Sequence, residues 1–97
     1  MLGKGIYKLL EKDENGAVVK LSDETHPLFQ AHFPNMPILP GYIYFDMAAE
    51  IFNITLTTIK RAKFLKTVKP NQILRYEKKN NKFKIFCENE EIANFTL

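Results

Sequence analysis

Acid and base side chains are concentrated in one short segment, HPLFQAHFPNMPILPGYIYFDMAAE, which runs from residue 26 to residue 50. The segment contains His32 among prolines, followed by two carboxylates, Asp46 and Glu50. Imidazole and carboxyl groups are common general acids and bases in enzymes. Because each proline fixes its own φ and restricts the preceding residue, His32 is expected on a stiff, non-helical segment. These residue types in one run therefore predict an acid–base site.

Both carboxylates are predicted to lie on one helix. Pro40 and Gly41 open an apolar stretch at residues 42–53, which is the only good helix candidate in the chain. Asp46 and Glu50 are four residues apart and share a face of that helix. The alternative for Asp46 is a surface carboxylate near a helix start, where the helix dipole favours negative charge. Its apolar neighbours Phe45 and Met47 favour a buried, functional acid instead.

The remaining sequence shows strand patterns separated by turn residues. Two strands at 5–12 and 17–21 flank Glu14-Asn15-Gly16, where Asn-Gly is expected to supply the positive φ of a tight hairpin. Four more strands, at 57–68, 73–79, 82–88 and 92–97, are separated by turns at 69–71, 80–81 and 89–90 and predict an antiparallel meander. Because the helix is apolar nearly all round, it must be enclosed. We therefore predict an α+β fold in one domain, residues 1–97, with one central helix wrapped by a curved antiparallel sheet.

The run HFPNMPILPGYIYFDMAAE, which begins at His32, resembles the HFPGxPIxPGxxxxE/DxxAQ signature of the 3-hydroxyacyl-acyl carrier protein dehydratases. The similarity continues upstream through HPLFQA and downstream through Ala62-Lys63-Phe64 and Val68-Lys69-Pro70, which resemble that family's ARF and VxPGD segments. In its length the chain is more similar to the short dehydratase-like proteins of aryl polyene type pathways than to the fatty-acid synthesis enzymes. The resemblance implies the hot-dog fold.

The resemblance also implies a role for each matching residue. In the family a general acid lies fourteen positions after the histidine, and here that position is Asp46. His32 would act as the base, Asp46 as the acid, and the backbone N–H of Gly41 as the donor to the thioester carbonyl. Aspartate at the acid position is typical of members that also isomerise the double bond. No metal or other cofactor is implied.

Two residues depart from the signature. Asn35 replaces the usual glycine, although asparagine tolerates a left-handed backbone better than other side chains. Glu50 stands where the fatty-acid enzymes commonly have glutamine. His26 matches no catalytic group of the family and is interpreted as structural or exposed. The residues expected to bind substrate are Phe33, Pro34, Pro40, Tyr42 and Glu50.

Positive charge is concentrated in the second half of the chain. The first fifty residues carry four lysines and seven acidic residues, whereas the remaining forty-seven carry ten basic residues and four glutamates. A basic surface attracts acidic partners, and no nucleic-acid-binding motif accompanies this one. We therefore expect an acidic acyl carrier protein to dock here, and neither nucleic acid nor membrane to bind. A solvated strand face is the alternative. The residues expected to dock the carrier are Lys60, Arg61, Lys63, Lys66 and Lys69.

Composition predicts the compartment. No apolar run approaches the roughly 20 residues needed to span a bilayer, and residues 1–10 lack the apolar region of a signal peptide. The single cysteine, Cys87, has no partner for an internal disulfide and lies in an alternating strand pattern. A packed thiol is expected there, and a reactive one is the alternative. The prediction is a cytoplasmic protein.

Dehydration of 3-hydroxyacyl thioesters, to give trans-2-enoyl thioesters, is the function predicted from the sequence. The resemblance implies a homodimer whose sites lie at the interface, with His32 and Asp46 contributed by different protomers; a higher oligomer or a heterodimer is the alternative. Two other functions stay open. One is a hot-dog thioesterase that uses Glu50, and the other is a non-catalytic acyl-binding subunit of a heterodimeric dehydratase.

Overall fold

The structure is a computed structural model that describes residues 5–31 and 39–97. The described residues form a six-stranded antiparallel sheet and two helices, with the strands in the order β1-β2-β4-β5-β6-β3. The catalytic candidate His32 and the substrate candidates Phe33 and Pro34 lie outside the described residues. The strands are β1 (Tyr7–Asp13), β2 (Gly16–Leu21), β3 (Arg61–Phe64), β4 (Ile73–Lys79), β5 (Lys82–Cys87) and β6 (Glu90–Thr96), and the helices are α1 (Pro27–Ala31) and α2 (Gly41–Ile51).

The first hairpin forms as predicted, but its turn is built differently. β1 and β2 pair from Tyr7 opposite Leu21 to Asp13 opposite Gly16. Neither Asn15 nor Gly16 has a positive φ, so the expected Asn-Gly turn is wrong. Instead, the Asp13 carboxylate accepts a hydrogen bond from the backbone N–H of Asn15 at 2.8 Å and closes the loop.

The strand predicted at 57–68 is much shorter, and its neighbour is not the predicted one. Only Arg61–Phe64 is in strand conformation, and this strand pairs with β6 rather than with β4. The predicted meander is therefore correct for β4, β5 and β6 and wrong for β3. Residues 65–72 carry the chain from β3 at one edge to β4 in the interior of the sheet, where β4 pairs with β2.

The turns of the second half lie where turn residues predicted them. Asn71 adopts a φ of 68° and Asn80 a φ of 54°, as expected for asparagine in the left-handed region. The last turn lies at Glu88 and Asn89, one residue before the predicted position, and both residues have positive φ. These tight connections keep β4, β5 and β6 in sequential antiparallel pairing.

Helix α2 packs one face against the inner face of the sheet, so within the described residues the expected enclosure of the helix holds for one side only. It begins and ends within two residues of the predicted 42–53 range. The opposite face carries Tyr42 and Glu50, which are exposed, and Asp46, which is half-buried. Five side chains of the helix are buried in the core, namely Ile43, Tyr44, Met47, Ala48 and Ile51. The short helix α1 was not predicted from the sequence.

Candidate active site

The start of α2 is held by backbone contacts rather than by a side-chain cap. Pro40 is the N-cap residue with φ −62° and ψ 141°, and no side chain caps the helix. Just before it, the N–H of buried Leu39 donates to the carbonyl oxygen of Val68 at 3.2 Å. The N-terminal end of α2 is thereby attached to the 65–72 connection. Gly41, the first helical residue, presents its N–H at the positive end of the helix dipole.

Asp46 lies in the middle of α2 on the face that the sheet leaves open. Its side chain is half-buried, beside Phe45 and Met47. Within residues 5–31 and 39–97, no hydrogen bond or ion pair engages its carboxylate. Because no described group engages this half-buried carboxylate, its oxygens are available to accept a hydrogen bond from a ligand.

The carboxylate of Glu50, one helical turn after Asp46, already accepts a hydrogen bond within the protein. The hydroxyl of Tyr7 on β1 donates a hydrogen bond to Oε1 of Glu50 at 2.5 Å. Burial, and then the hydrogen bond and negative charge of Glu50, raise the pKa of Tyr7. The tyrosine therefore remains a protonated donor at neutral pH. Sequence spacing carries no signal for this contact, because the partners are 43 positions apart in the sequence.

An aromatic ring covers the first turn of α2. A Cβ added at Gly41 would lie 2.9–3.3 Å from the outer ring atoms of Phe64 on β3, so only glycine leaves room for this ring position. Phe64 also stacks on Tyr44, with ring centroids 6.0 Å apart, and contacts Phe45 at 5.9 Å. The ring remains 50% exposed. Phe64 belongs to the Ala62-Lys63-Phe64 match, yet only the fold shows that it touches the predicted carbonyl donor.

Two buried tyrosines meet where α2 packs on the sheet, Tyr44 on the helix and Tyr76 on β4. The Tyr76 hydroxyl on β4 donates to the backbone carbonyl oxygen of Tyr44 at 3.1 Å. Burial raises the pKa of both side chains above the ordinary tyrosine value, so both stay neutral at physiological pH. The predicted packed thiol, Cys87, is buried, and burial followed by the charges of Glu88 and Glu90 raises its pKa. A neutral, packed thiol is a poor nucleophile.

His26 has the structural role expected of it. Its Nδ1 accepts a hydrogen bond from the backbone N–H of Leu28 at 3.0 Å, at the start of α1. The nearby Asp23 carboxylate accepts from the N–H of Thr25 at 2.9 Å and from its hydroxyl. These bonds lower the pKa of Asp23. The loop before α1 is therefore ordered by its own polar side chains.

The basic residues expected to dock a carrier are all exposed, but some lie on β3 and others lie in the segments that flank it. Arg61 and Lys63 lie on the outer face of β3, in register across β6 with Lys82 and Lys84 of β5. Lys66 forms an ion pair with Glu90. Lys60, Lys66 and Lys69 lie outside the strand. The structure instead aligns four cations, Arg61, Lys63, Lys82 and Lys84, on one surface, here called the basic row.

Comparison with known proteins identifies relatives of one kind. A family model described as ApeI-like, ApeI dehydratase, matches residues 10–95. The 3-hydroxyacyl-[acyl-carrier-protein] dehydratase FabZ of Rhodopseudomonas palustris is 31% identical over 88 residues, which cover 75% of this chain and 58% of that protein. The corresponding enzyme of Petrotoga mobilis is 35% identical over 74 residues, covering 59% of this chain and 53% of that protein. The chain thus spans between half and two thirds of the length of these curated relatives.

Solved structures confirm the predicted hot-dog fold. The dehydratase heterocomplex ApeI:P from Xenorhabdus doucetiae superposes with a TM-score of 0.67 at 20% identity, covering 94% of this chain and 93% of that one. The E. coli PaaI protein gives a TM-score of 0.62 at 15% identity, covering 97% and 82%. A hypothetical thioesterase variant from Streptococcus pneumoniae gives 0.54 at 14% identity, covering 93% and 86%. Among the described residues, no helix has the length and apolar character to cross a membrane.

Proposed function

Because the chain belongs to the ApeI-like dehydratase family, we propose that it removes water from 3-hydroxyacyl thioesters bound to an acyl carrier protein. The observation that carries the proposal is the placement of Asp46 and Gly41 on one helix within the region that the family model matches. They are five positions apart in the sequence, which corresponds to about 7–8 Å along the helix axis.

The proposed reaction needs three groups. His32 takes the proton from the α-carbon while negative charge develops on the thioester carbonyl oxygen. The Gly41 N–H, at the positive end of α2, stabilises that charge. Asp46 donates a proton to the β-hydroxyl, which leaves as water while the double bond forms between the α- and β-carbons. Phe64, lying against Gly41, shields this end of the site from solvent.

The proposed active unit is a homodimer that uses the β3 edge. Within the described chain, β3 has one strand neighbour, so its outer edge has backbone groups free to pair. All four of its residues are exposed. Ile59, Phe64 and Leu65 add exposed apolar surface along this edge, and Tyr42 adds more at the start of α2. A strand edge bordered by apolar side chains supports pairing with a second protomer.

Complementation between inactive variants tests the shared site. His32→Ala and Asp46→Asn should each lower turnover by about 10²- to 10⁴-fold because each removes a proton-transfer group. If the two groups come from different protomers, a mixed dimer holds one intact site. Random exchange then restores roughly a quarter of the parent activity, because about half of the dimers are mixed and each has one site of two. Confirmed subunit exchange without recovered activity would refute the shared site.

We propose that the basic row and its neighbours Lys60, Lys66 and Lys69 attract the acidic carrier protein. Lys66 is expected to contribute least, because Glu90 already offsets its charge. Attraction between exposed charges acts mainly on encounter and is screened beyond about 8 Å at physiological salt. The effect should therefore appear in KM and weaken as the salt concentration rises.

A charge-reversal pair tests the docking surface. Lys82→Glu with Lys84→Glu, which belong to the basic row but lie on β5, two strands away from the proposed dimer edge, should raise KM for the carrier-bound substrate and leave kcat unchanged. Lys8→Glu with Lys20→Glu is the matched control, because these lysines face each other on the outer side of the opposite edge of the sheet. A small thioester without the carrier should be processed equally by all three proteins. Equal losses on both substrates would place carrier docking elsewhere.

The hydrogen bond between Tyr7 and Glu50 argues against the thioesterase alternative. This carboxylate was the spare acid available for such a reaction, and Tyr7 already holds it. Incubation with a 3-hydroxyacyl carrier protein, followed by mass detection, separates the two reactions: dehydration lowers the acyl mass by one water, whereas hydrolysis releases free acid. A chain that does neither alone, but acts after a second hot-dog subunit is added, would support the heterodimer alternative.

A further inference from the structure

Tyr7, on an edge strand, donates a hydrogen bond to α2 near the C-terminal end of the helix. Tyr7 lies on β1, which forms the edge of the sheet opposite β3. Its ring is half-buried against the core, and its hydroxyl reaches out to the carboxylate of Glu50. Glu50 is itself exposed, so packing alone does not fix its side chain. This hydrogen bond therefore links the exposed side of α2 to β1.

A second tyrosine holds the same helix on its sheet-facing side. Tyr76 is buried, and its hydroxyl donates to the carbonyl oxygen of Tyr44. At about 100° per residue, Asp46 and Glu50 point about 40° apart, whereas Tyr44 points to the other side of the helix. The Tyr76 contact and the Tyr7 contact thus lie on different sides of the helix axis, and Asp46 lies between them along the chain. The two contacts are thus placed to oppose rotation of α2 about its axis, in addition to the five side chains that the helix buries in the core.

We propose that Tyr7 and Glu50 are positioning residues that fix the rotation of α2 and so aim the carboxylate of Asp46 into the site. The catalytic consequence rests on the proposed dehydration. In this proposal Glu50 acts through Tyr7 rather than as the substrate-binding residue expected from the sequence. Neither residue needs to touch the substrate, because Asp46 is one helical turn from Glu50 and moves with it. Small displacements of a reacting group lower turnover steeply.

Four variants test the proposal through kinetics. Tyr7→Phe and Glu50→Ala each remove the hydrogen bond, and each is expected to lower kcat about 10-fold with KM unchanged. The double variant is expected to lose no more than either single variant, because both remove the same contact. Glu50→Gln keeps an oxygen that accepts from Tyr7 and is expected to lose less than about threefold. Lys8→Ala, on the outer face of β1, and Glu14→Ala, in the adjacent turn, are the controls.

Two kinetic results would overturn the proposal. If Glu50→Gln loses as much as Glu50→Ala, the charge of Glu50 matters rather than the link to Tyr7. If the losses from Tyr7→Phe and Glu50→Ala multiply in the double variant, the two residues act separately. Urea unfolding of each variant identifies any loss caused by global instability.

Amide hydrogen exchange tests the anchoring without any reaction. In Tyr7→Phe, the amides of residues 46–51 are expected to exchange faster than in the parent, while those of 82–87 on β5 keep their rates. Unchanged exchange in 46–51 would overturn the inference even if activity falls. If the parent protein does not dehydrate the substrate, the proposed function fails, and the exchange result alone decides whether Tyr7 holds α2.

Discussion

Replacing Phe64 by aspartate is expected to dissociate the proposed dimer while the protomer stays folded. Phe64 lies on the free-edge strand β3 and is 50% exposed. An aromatic side chain buries roughly 150–250 Å² when it is fully covered, so about 100 Å² of this ring is available to a partner. In a symmetric dimer the ring is buried twice, which amounts to about 200 Å².

Burial of that area sets the expected magnitude. At about 25 cal/mol per Å² the two rings contribute about 5 kcal/mol to association. Because about 1.4 kcal/mol changes a dissociation constant tenfold, their loss should weaken the dimer by at least about 10³-fold. The buried aspartates would add a desolvation cost in the same direction. The parent should therefore sediment as a dimer at concentrations where Phe64→Asp sediments as a monomer.

A matched control separates the interface from a general effect of added charge. Ile73 is 51% exposed and lies on the outer face of β4, away from the β3 edge. Ile73→Asp should therefore keep the dissociation constant of the parent. Sedimentation velocity over a dilution series measures association, and far-UV circular dichroism checks the fold. A dimer that survives Phe64→Asp, or one that Ile73→Asp disrupts equally, would refute the assignment of the interface to this edge.

Three further predictions concern the protomer. Tyr76→Phe removes the hydroxyl that donates to Tyr44 and should lower the free energy of unfolding by about 0.5–1.5 kcal/mol in urea titration; no change would mean that the bond does not stabilise the helix. Burial raises the pKa of Tyr44 and Tyr76 above the ordinary value of 10.0. Their contribution to the free energy of unfolding is therefore complete below that pH and is lost as the pH rises above it. The urea midpoint should accordingly be lower at about pH 11 than at about pH 8. Cys87 should react slowly with a thiol reagent in the native protein and rapidly in urea, because burial raises the pKa of its thiol; equal rates would contradict its packing.

Local patterns in the sequence predicted the elements whose form depends on near neighbours. The apolar period at 42–53 predicted α2, and proline and glycine at its start predicted where it begins. Alternation predicted β4, β5 and β6 because each buries one face on the core and exposes the other. Asn71 and Asn80 marked their turns because asparagine tolerates positive φ.

The contacts that shape the candidate site were decided by tertiary structure. β3 pairs with β6, although the chain runs directly on to β4. This pairing brings the Phe64 ring onto Gly41, and the opposite edge brings Tyr7 to Glu50. Residue spacing alone placed Asp46 on α2 with Gly41 at its start, whereas His32 lies outside the described residues and its role stays a prediction.

The sequence by itself determined that α2 is helical and carries Asp46, that β4, β5 and β6 are extended, and the family to which the chain belongs. Only the tertiary structure decided which strands are neighbours and which side chains meet across them. The physical reason is that hydrophobic period and turn chemistry report the burial and backbone conformation of each segment. Strand pairing depends instead on hydrogen bonds and packing between residues distant in sequence, which local pattern does not encode.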